Sequence, residues 1–382
     1  MSEHEDRGPR GEGRPGGQHH QERLSADGAG LLYALRASVE VLSAPDGRVY
    51  LLRPGAPDLV LPEPDPADRA LLDALVAPST VAGLAESTGA EPATIQEKLG
   101  ALDAVDVLTS WPADTPPLGE EAARRFDRQL PYLAEFGAPA DRQRALGDAT
   151  VAIIGCGGLG TWALGGLACA GIGNFVLVDD DTVEPSNLNR QVLYVEADIG
   201  RPKVDCAAAW LRRFAPTTAV TTLQRRIRGV EDVAPLARDA DLVVLLADWP
   251  PYELERWVNE ACFAASTPYI SSGQATPLMK IGPLYVPGRT ACFACEETQM
   301  RAGSRFYDDV VALRQRTSAS AMTLGPAAGA VGTLLSIEVM HALLGRPVAT
   351  EGRALLLDIQ TFETSWAPVA RDPACAICGP RA

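Results

Sequence analysis

Val151-Ala152-Ile153-Ile154-Gly155-Cys156-Gly157-Gly158-Leu159-Gly160 is the segment on which the architecture turns. Four apolar residues in a row, with no polar alternation, read as a strand buried on both faces of a sheet. The glycines that follow satisfy G-x-G-x-x-G, and an apolar helical stretch over 159–170 begins inside them. Glycine there permits a tight turn and lets phosphate approach backbone N–H groups at a helix N-terminus, so Gly155, Gly157, Gly158 and Gly160 are candidate nucleotide contacts. The next strand, over 175–178, ends at Asp179, 19 residues after Gly160. An acid at that place hydrogen-bonds a ribose hydroxyl.

Working outward, strands and helices alternate. A helix is expected over 203–214, strands over 219–223 and 242–246, and a helix over 252–264. Strands near 269–273 and 281–285, a long Gly/Ala-rich helix over about 326–344 and a strand over 354–359 complete the series. This order predicts an α/β, Rossmann-like, doubly wound and mostly parallel sheet over 120–382.

Upstream lies a smaller unit over 30–111. Alternation over 38–42, the turn Pro45-Asp46-Gly47 and the run over 49–52 read as a β-hairpin. An extended piece over 59–61 and three short helices, over 66–76, 81–87 and 91–102, follow, with Ser79, Thr80 and Pro92 as start signals. A closing strand over 105–108 is expected. The result is a winged-helix-like α+β domain, read as a peptide-docking module. Residues 112–119 are a Pro-rich linker, and one helix over 120–137 opens the larger domain. Residues 1–29, rich in Gly, Arg, Glu and His, read as a disordered tail with no signal-peptide core.

Composition narrows the chemistry. A net charge of −15 disfavours nucleic-acid binding. No apolar run free of charges and glycines reaches the roughly 18 residues of a membrane span. Eight cysteines in 382 residues are too few for a disulfide scaffold, so a cytoplasmic location is expected. Three of the four histidines (His4, His19, His20, His341) lie in the tail, leaving little for a Ser-His-Asp or Cys-His machine. The only lysines are Lys98, Lys203 and Lys280.

The Gly loop and its acid alone would fit an NAD-dependent dehydrogenase. The continuation does not. Asp179-Asp180-Asp181-Thr182-Val183-Glu184-Pro185-Ser186-Asn187-Leu188-Asn189-Arg190-Gln191 concentrates acids, amides and an arginine, and Gly200-Arg201-Pro202-Lys203 follows. This series resembles the ThiF/MoeB adenylating family, related to ubiquitin-activating enzymes: GxGGLG, then D-x-D-x-V-x-x-S-N-L-x-R-Q, then G-x-x-K. Arg125-Phe126-Asp127-Arg128-Gln129 resembles that family's R-Y-x-R-Q, and the likeness covers about 120–380. It implies ATP-dependent formation of an acyl-adenylate. Asp179 would bind the ribose, Asp181 would be a further nucleotide contact, Asn187 would lie near the phosphates, and Arg190 and Lys203 would bind triphosphate oxygens. Asp248 would hold Mg²⁺, and Arg128 would reach into the partner's site across a homodimer. These residue types suit the reaction. A carboxylate attacking ATP is an anion approaching a polyanion, so catalysis is charge neutralisation and positioning, with no general base needed.

Cys292-x-x-Cys295 and Cys375-x-x-Cys378 have the spacing of a four-thiolate structural Zn²⁺ site, with a redox pair as the alternative. Cys169, Cys206 and Cys262, on apolar helices, read as buried structural thiols. The family's crossover cysteine is missing from 298–324, and the segment over 299–321 reads as a crossing loop above the substrate's tail. The smaller domain resembles PqqD-like leader-recognition elements of ribosomal peptide (RiPP) biosynthesis. The expected partner is therefore a precursor peptide whose C-terminal carboxylate or carboxamide is adenylated. The alternatives are a Gly-Gly sulfur-carrier protein, or a non-catalytic role presenting a leader to a separate cyclodehydratase.

Overall fold

A computed structural model describes residues 30–275, 277–317 and 323–379, and the tail over 1–29 lies outside them. The chain divides into two compact units, up to Arg142 and from Gln143 onward.

In the first unit β1 (Leu31–Leu35) pairs antiparallel with β5 (Leu108–Pro112). Next, β2 (Glu40–Ser43), β3 (Val49–Leu52) and β4 (Leu59–Leu61) form an antiparallel meander. Three helices follow, Pro66–Ala74, Val81–Thr88 and Pro92–Ala104. The first starts with a reciprocal Asp65/Asp68 capping box and the second under the Thr80 hydroxyl, and the second ends at Gly89 with φ +71°. Leu51, Leu75, Leu84, Ile95, Leu99 and Val107 are fully buried between them. The closing strand starts at Leu108, later than the sequence suggests, and β1 was not expected at all. The single helix expected over 120–137 is two, Glu120–Arg125 and Leu130–Ala134, with a further helix Pro139–Asp148 behind them.

The second unit is built on an eight-stranded sheet. Its strands are β6 (Thr150–Ile154), β7 (Asn174–Val178), β8 (Ala219–Leu223), β9 (Leu242–Leu245), β10 (Tyr269–Ala275), β11 (Leu278–Tyr285), β12 (Arg353–Asp358) and β13 (Thr364–Pro368). The spatial order is β13-β12-β11-β10-β9-β6-β7-β8. From β8 to β10 neighbours are parallel, and from β10 to β13 antiparallel. Val151, Ala152, Ile153 and Ile154 are almost wholly buried, as a central strand covered on both faces requires. From β6 the chain runs to β7 and β8 on one side, then returns to β9 on the other. The crevice above the carboxyl ends of β6 and β9 is therefore the switch point where such sheets bind ligands.

Helix Gly158–Ala170 packs closely on helix Gly325–Leu343. A Cβ at Gly332 would lie 2.6 Å from Trp162 Cβ, and one at Gly166 would lie 2.5 Å from Ser336 Oγ. Gly325–Leu343 is the one helix among the described residues that is long and apolar enough to cross a membrane, and more than half of it is buried inside the unit. The expected crossing loop is largely helical, as Phe293–Gly303 and Tyr307–Arg316; residues 318–322 lie outside the described ones.

Candidate active site

The Gly loop is shaped by contact with the strand across the crevice. Gly155 has φ +102°, and a Cβ there would stand 2.5 Å from Ala247 N, just past β9. A Cβ at Gly160 would lie 2.0 Å from Gly155 O. Only glycine fits either position. Gly157 caps helix Gly158–Ala170, and a Cβ at Gly158 would stand 3.3 Å from the aliphatic stem of Arg190.

Asp179 leaves β7 with its carboxylate already held. Oδ2 accepts from Cys156 N at 2.7 Å and Oδ1 from Asp181 N at 2.9 Å. Burial pushes this carboxyl above the ordinary range, although the Lys203 ammonium and the two N–H donors pull the other way. Asp181 accepts from Lys203 Nζ at 2.7 Å, and its carbonyl accepts from Lys203 N at 3.0 Å. Lys203 is 6% exposed, so its charge is set inside the protein beside the Gly loop. Arg190 Nη1 donates to Ser186 O at 2.8 Å and Asn189 Oδ1 at 3.0 Å. Asn187 is buried and turned into its own loop, its Oδ1 accepting from Glu184 N at 3.1 Å. Asp248 is exposed three residues beyond β9. Arg128 belongs to the first unit, fully exposed, with its guanidinium 3.7 Å from Asp127.

The structure thus brings Gly155, Gly157, Gly158, Gly160, Asp179, Asp181, Arg190 and Lys203 together around one loop. Of the carboxylates among the described residues, Asp179, Asp180 and Asp181 lie close enough to share a cation, and Asp248 is not in that group. Two supporting residues escaped the sequence reading. Tyr194 donates from its hydroxyl to Cys156 O at 2.8 Å, and Trp162 Nε1 donates to Arg190 O at 3.2 Å. Both are apolar-ring residues whose polar tips hold the loop from behind. Burial and the neighbouring Asp179 raise the Cys156 thiol well above its usual range, which keeps it an unreactive packing group.

The four CxxC thiols converge, with Cys292 Sγ 3.5 Å from Cys375 Sγ and Cys295 Sγ 3.4 Å from Cys378 Sγ. All four sulfurs lie within 4.8 Å of one another. These separations exceed a disulfide bond and approach the ~3.8 Å edge of a tetrahedron with Zn–S of about 2.3 Å. Burial opposes ionisation of Cys375, but the backbone N–H groups of Cys378 and Ile377 bring its thiol down to about 7. The donor set fits a structural zinc ion. Cys206 and Cys262 are buried as expected, whereas Cys169 is exposed, because it lies on the outward side of its helix.

The ThiF family model matches residues 126–377. Molybdopterin-synthase adenylyltransferase of Escherichia coli (strain K12) is 31% identical over 262 residues, which cover 69% of this chain and 98% of that protein. Sulfur carrier protein ThiS adenylyltransferase of the same organism is 34% identical over 258 residues, 67% of this chain and 94% of that one. The crystal structure of E. coli MccB with ATP superposes with a TM-score of 0.72 at 24% identity, covering 91% of this chain and 100% of MccB, a likeness of fold. Matched by the family model over residues 126–377 and by these relatives over two thirds of its length, the chain belongs to the ThiF family and is an ATP-dependent adenylyltransferase.

Proposed function

We propose that this protein adenylates the C-terminal carboxylate or carboxamide of a ribosomally made precursor peptide. The observation that carries this reading is coverage. In sequence the two E. coli adenylyltransferases match 69% and 67% of the chain, whereas the MccB fold extends over 91% of it. The added length takes in the N-terminal unit, and MccB is described as a microcin C7 biosynthetic enzyme, solved in complex with N-formylated MccA.

In the proposed reaction with a carboxylate, one of its oxygens attacks the α-phosphorus of ATP. The bond from that phosphorus to the bridging oxygen of pyrophosphate breaks, and no proton moves. Lys203 and Arg190 neutralise triphosphate oxygens, Asp179 accepts from the ribose, and Asn187 stiffens the loop that presents Arg190. Asp248 would supply a carboxylate for Mg²⁺, whose charge would offset that of the triphosphate. The four CxxC thiols hold Zn²⁺. The unit over 30–111 docks the peptide's leader by adding it to an edge of the β2–β4 meander. Arg128 completes the partner's site in a homodimer.

A second reading, adenylation of a small Gly-Gly sulfur carrier, draws on relatives above 30% identity. ATP–pyrophosphate exchange against a panel of leader-bearing peptides and Gly-Gly carriers separates the two. Exchange with a peptide supports the proposal, and exchange with a carrier alone transfers the answer to sulfur chemistry. Peptide binding without exchange marks a presenter. Lys203→Ala serves as the control and should lower exchange by about 10²–10³-fold, the scale of losing one preorganised charge-stabilising group. Exchange near wild type in that variant overturns the site assignment.

A further inference from the structure

Asp179, just past β7, is the proposed ribose contact, which leaves the β9–β10 half of the crevice for the acyl group. Helix Tyr307–Arg316 borders that half. Its Arg314 Nη1 donates to Tyr252 Oη at 3.0 Å, and Gln315 Nε2 donates to Glu253 Oε1 at 3.2 Å. Tyr307 meets Tyr252 edge-on, ring centres 5.7 Å apart. Tyr252 sits four residues past Asp248 and caps helix Glu253–Ala265 with φ +65°, a conformation a bulky residue adopts only when its surroundings impose it.

Through Tyr307, the contacts of Tyr252 lead to one buried carboxylate. Glu297, 8% exposed, lies two residues after Cys295 on helix Phe293–Gly303. Its Oε2 accepts from Arg256 Nε at 3.0 Å, and its Oε1 accepts from Tyr307 Oη at 3.0 Å and from Arg256 Nη2. Arg301 Nη2 stands 3.6 Å away. One buried group thus ties together three helices, Glu253–Ala265, Phe293–Gly303 and Tyr307–Arg316. A charged hub with several charge-assisted bonds fixes geometry more tightly than any one of its neighbours.

We propose that Glu297 is a positioning residue for the acyl half of the site, holding helix Tyr307–Arg316 against the segment that follows Asp248. It touches neither nucleotide nor acyl group. The proposal rests on the adenylation reading for its effect on turnover, but its structural consequence stands independently. In the full chain, Glu297→Ala should raise amide hydrogen exchange over 307–316 by at least about tenfold, with Gly158–Ala170 unchanged. Glu297→Gln, which keeps an acceptor for Tyr307, should restore part of that protection. With whichever panel peptide or carrier supports pyrophosphate exchange, KM for that acyl substrate should rise by about fivefold or more, while KM for ATP stays within about twofold. Unchanged protection over 307–316, or a parallel rise in KM for ATP, overturns the proposal. Should Glu297→Ala fail to fold, Tyr307→Phe removes a single hydroxyl and must show the same local loss of protection. Should no panel member support exchange, the peptide and carrier readings both fail while hydrogen exchange still decides the clamp.

Discussion

At Asp179 two backbone N–H groups and a nearby ammonium favour the charged carboxylate, yet burial outweighs them and raises its pKa. A protonated Asp179 cannot accept from a ribose hydroxyl through both oxygens, so nucleotide affinity should fall as pH drops through a value above the ~3.9 of a free aspartate. The stability sign is opposite. A carboxyl with a raised folded pKa holds its proton more tightly folded than unfolded. Its stabilising contribution is therefore full below the unfolded pKa and is lost as pH rises through the folded one. Calorimetric titration with a non-hydrolysable ATP analogue, carried down from about pH 8 towards the ~3.9 of a free aspartate, should show a loss of affinity that is smaller in Asp179→Asn; superimposable wild-type and variant profiles refute the assignment. Asp179, Arg190 and Lys203 were legible because motif spacing alone carries them to the loop. Tyr194 and Glu297 were not. The first bonds to a carbonyl 38 positions away, and the second takes its meaning from Arg256, 41 positions away. Neither sits in a motif.

Among the elements, the pair Gly158–Ala170 and Gly325–Leu343 shows how glycine sets packing distance. Gly332 faces Leu159 O and the Trp162 side chain, with no space for a methyl group. Gly332→Ala should lower the urea midpoint by the equivalent of about 1–3 kcal/mol through overpacking, against the small helix-propensity gain that alanine brings. An unchanged midpoint would show that the two helices can separate freely. The alternating order of the parallel half was readable because β6, β7 and β9 are continuous apolar runs bounded by glycine or acid. β13 was not, since Thr-Ser-Trp-Ala-Pro is an exposed edge with no apolar alternation. β1 hid for a different reason. Its partner β5 comes after the whole helical part of that unit, so nothing local distinguishes it from an apolar lead-in. Helix Tyr307–Arg316 buries only Tyr307 and Val311 and exposes Leu313, which blurs its period and made it read as loop.

For the molecule as a whole, the four thiols join the middle of the second unit to the last described residues. Cys375→Ser should reduce metal content from about one zinc per chain to none and lower the melting temperature, because metal binding and folding of this region are one equilibrium. Retained zinc with an unchanged melting temperature would refute the site. Between the two pairs run the rest of helix Phe293–Gly303, helices Tyr307–Arg316 and Gly325–Leu343 and strands β12 and β13. Their connection across 79 intervening residues has a consequence in time. During synthesis at about 5–20 residues per second, Cys292 and Cys295 are made roughly 4–16 s before Cys375 and Cys378. Through that interval the first two thiols lack the partners beside which the finished fold buries them, so the nascent protein, rather than the finished one, is the form in which they lie open to oxidants.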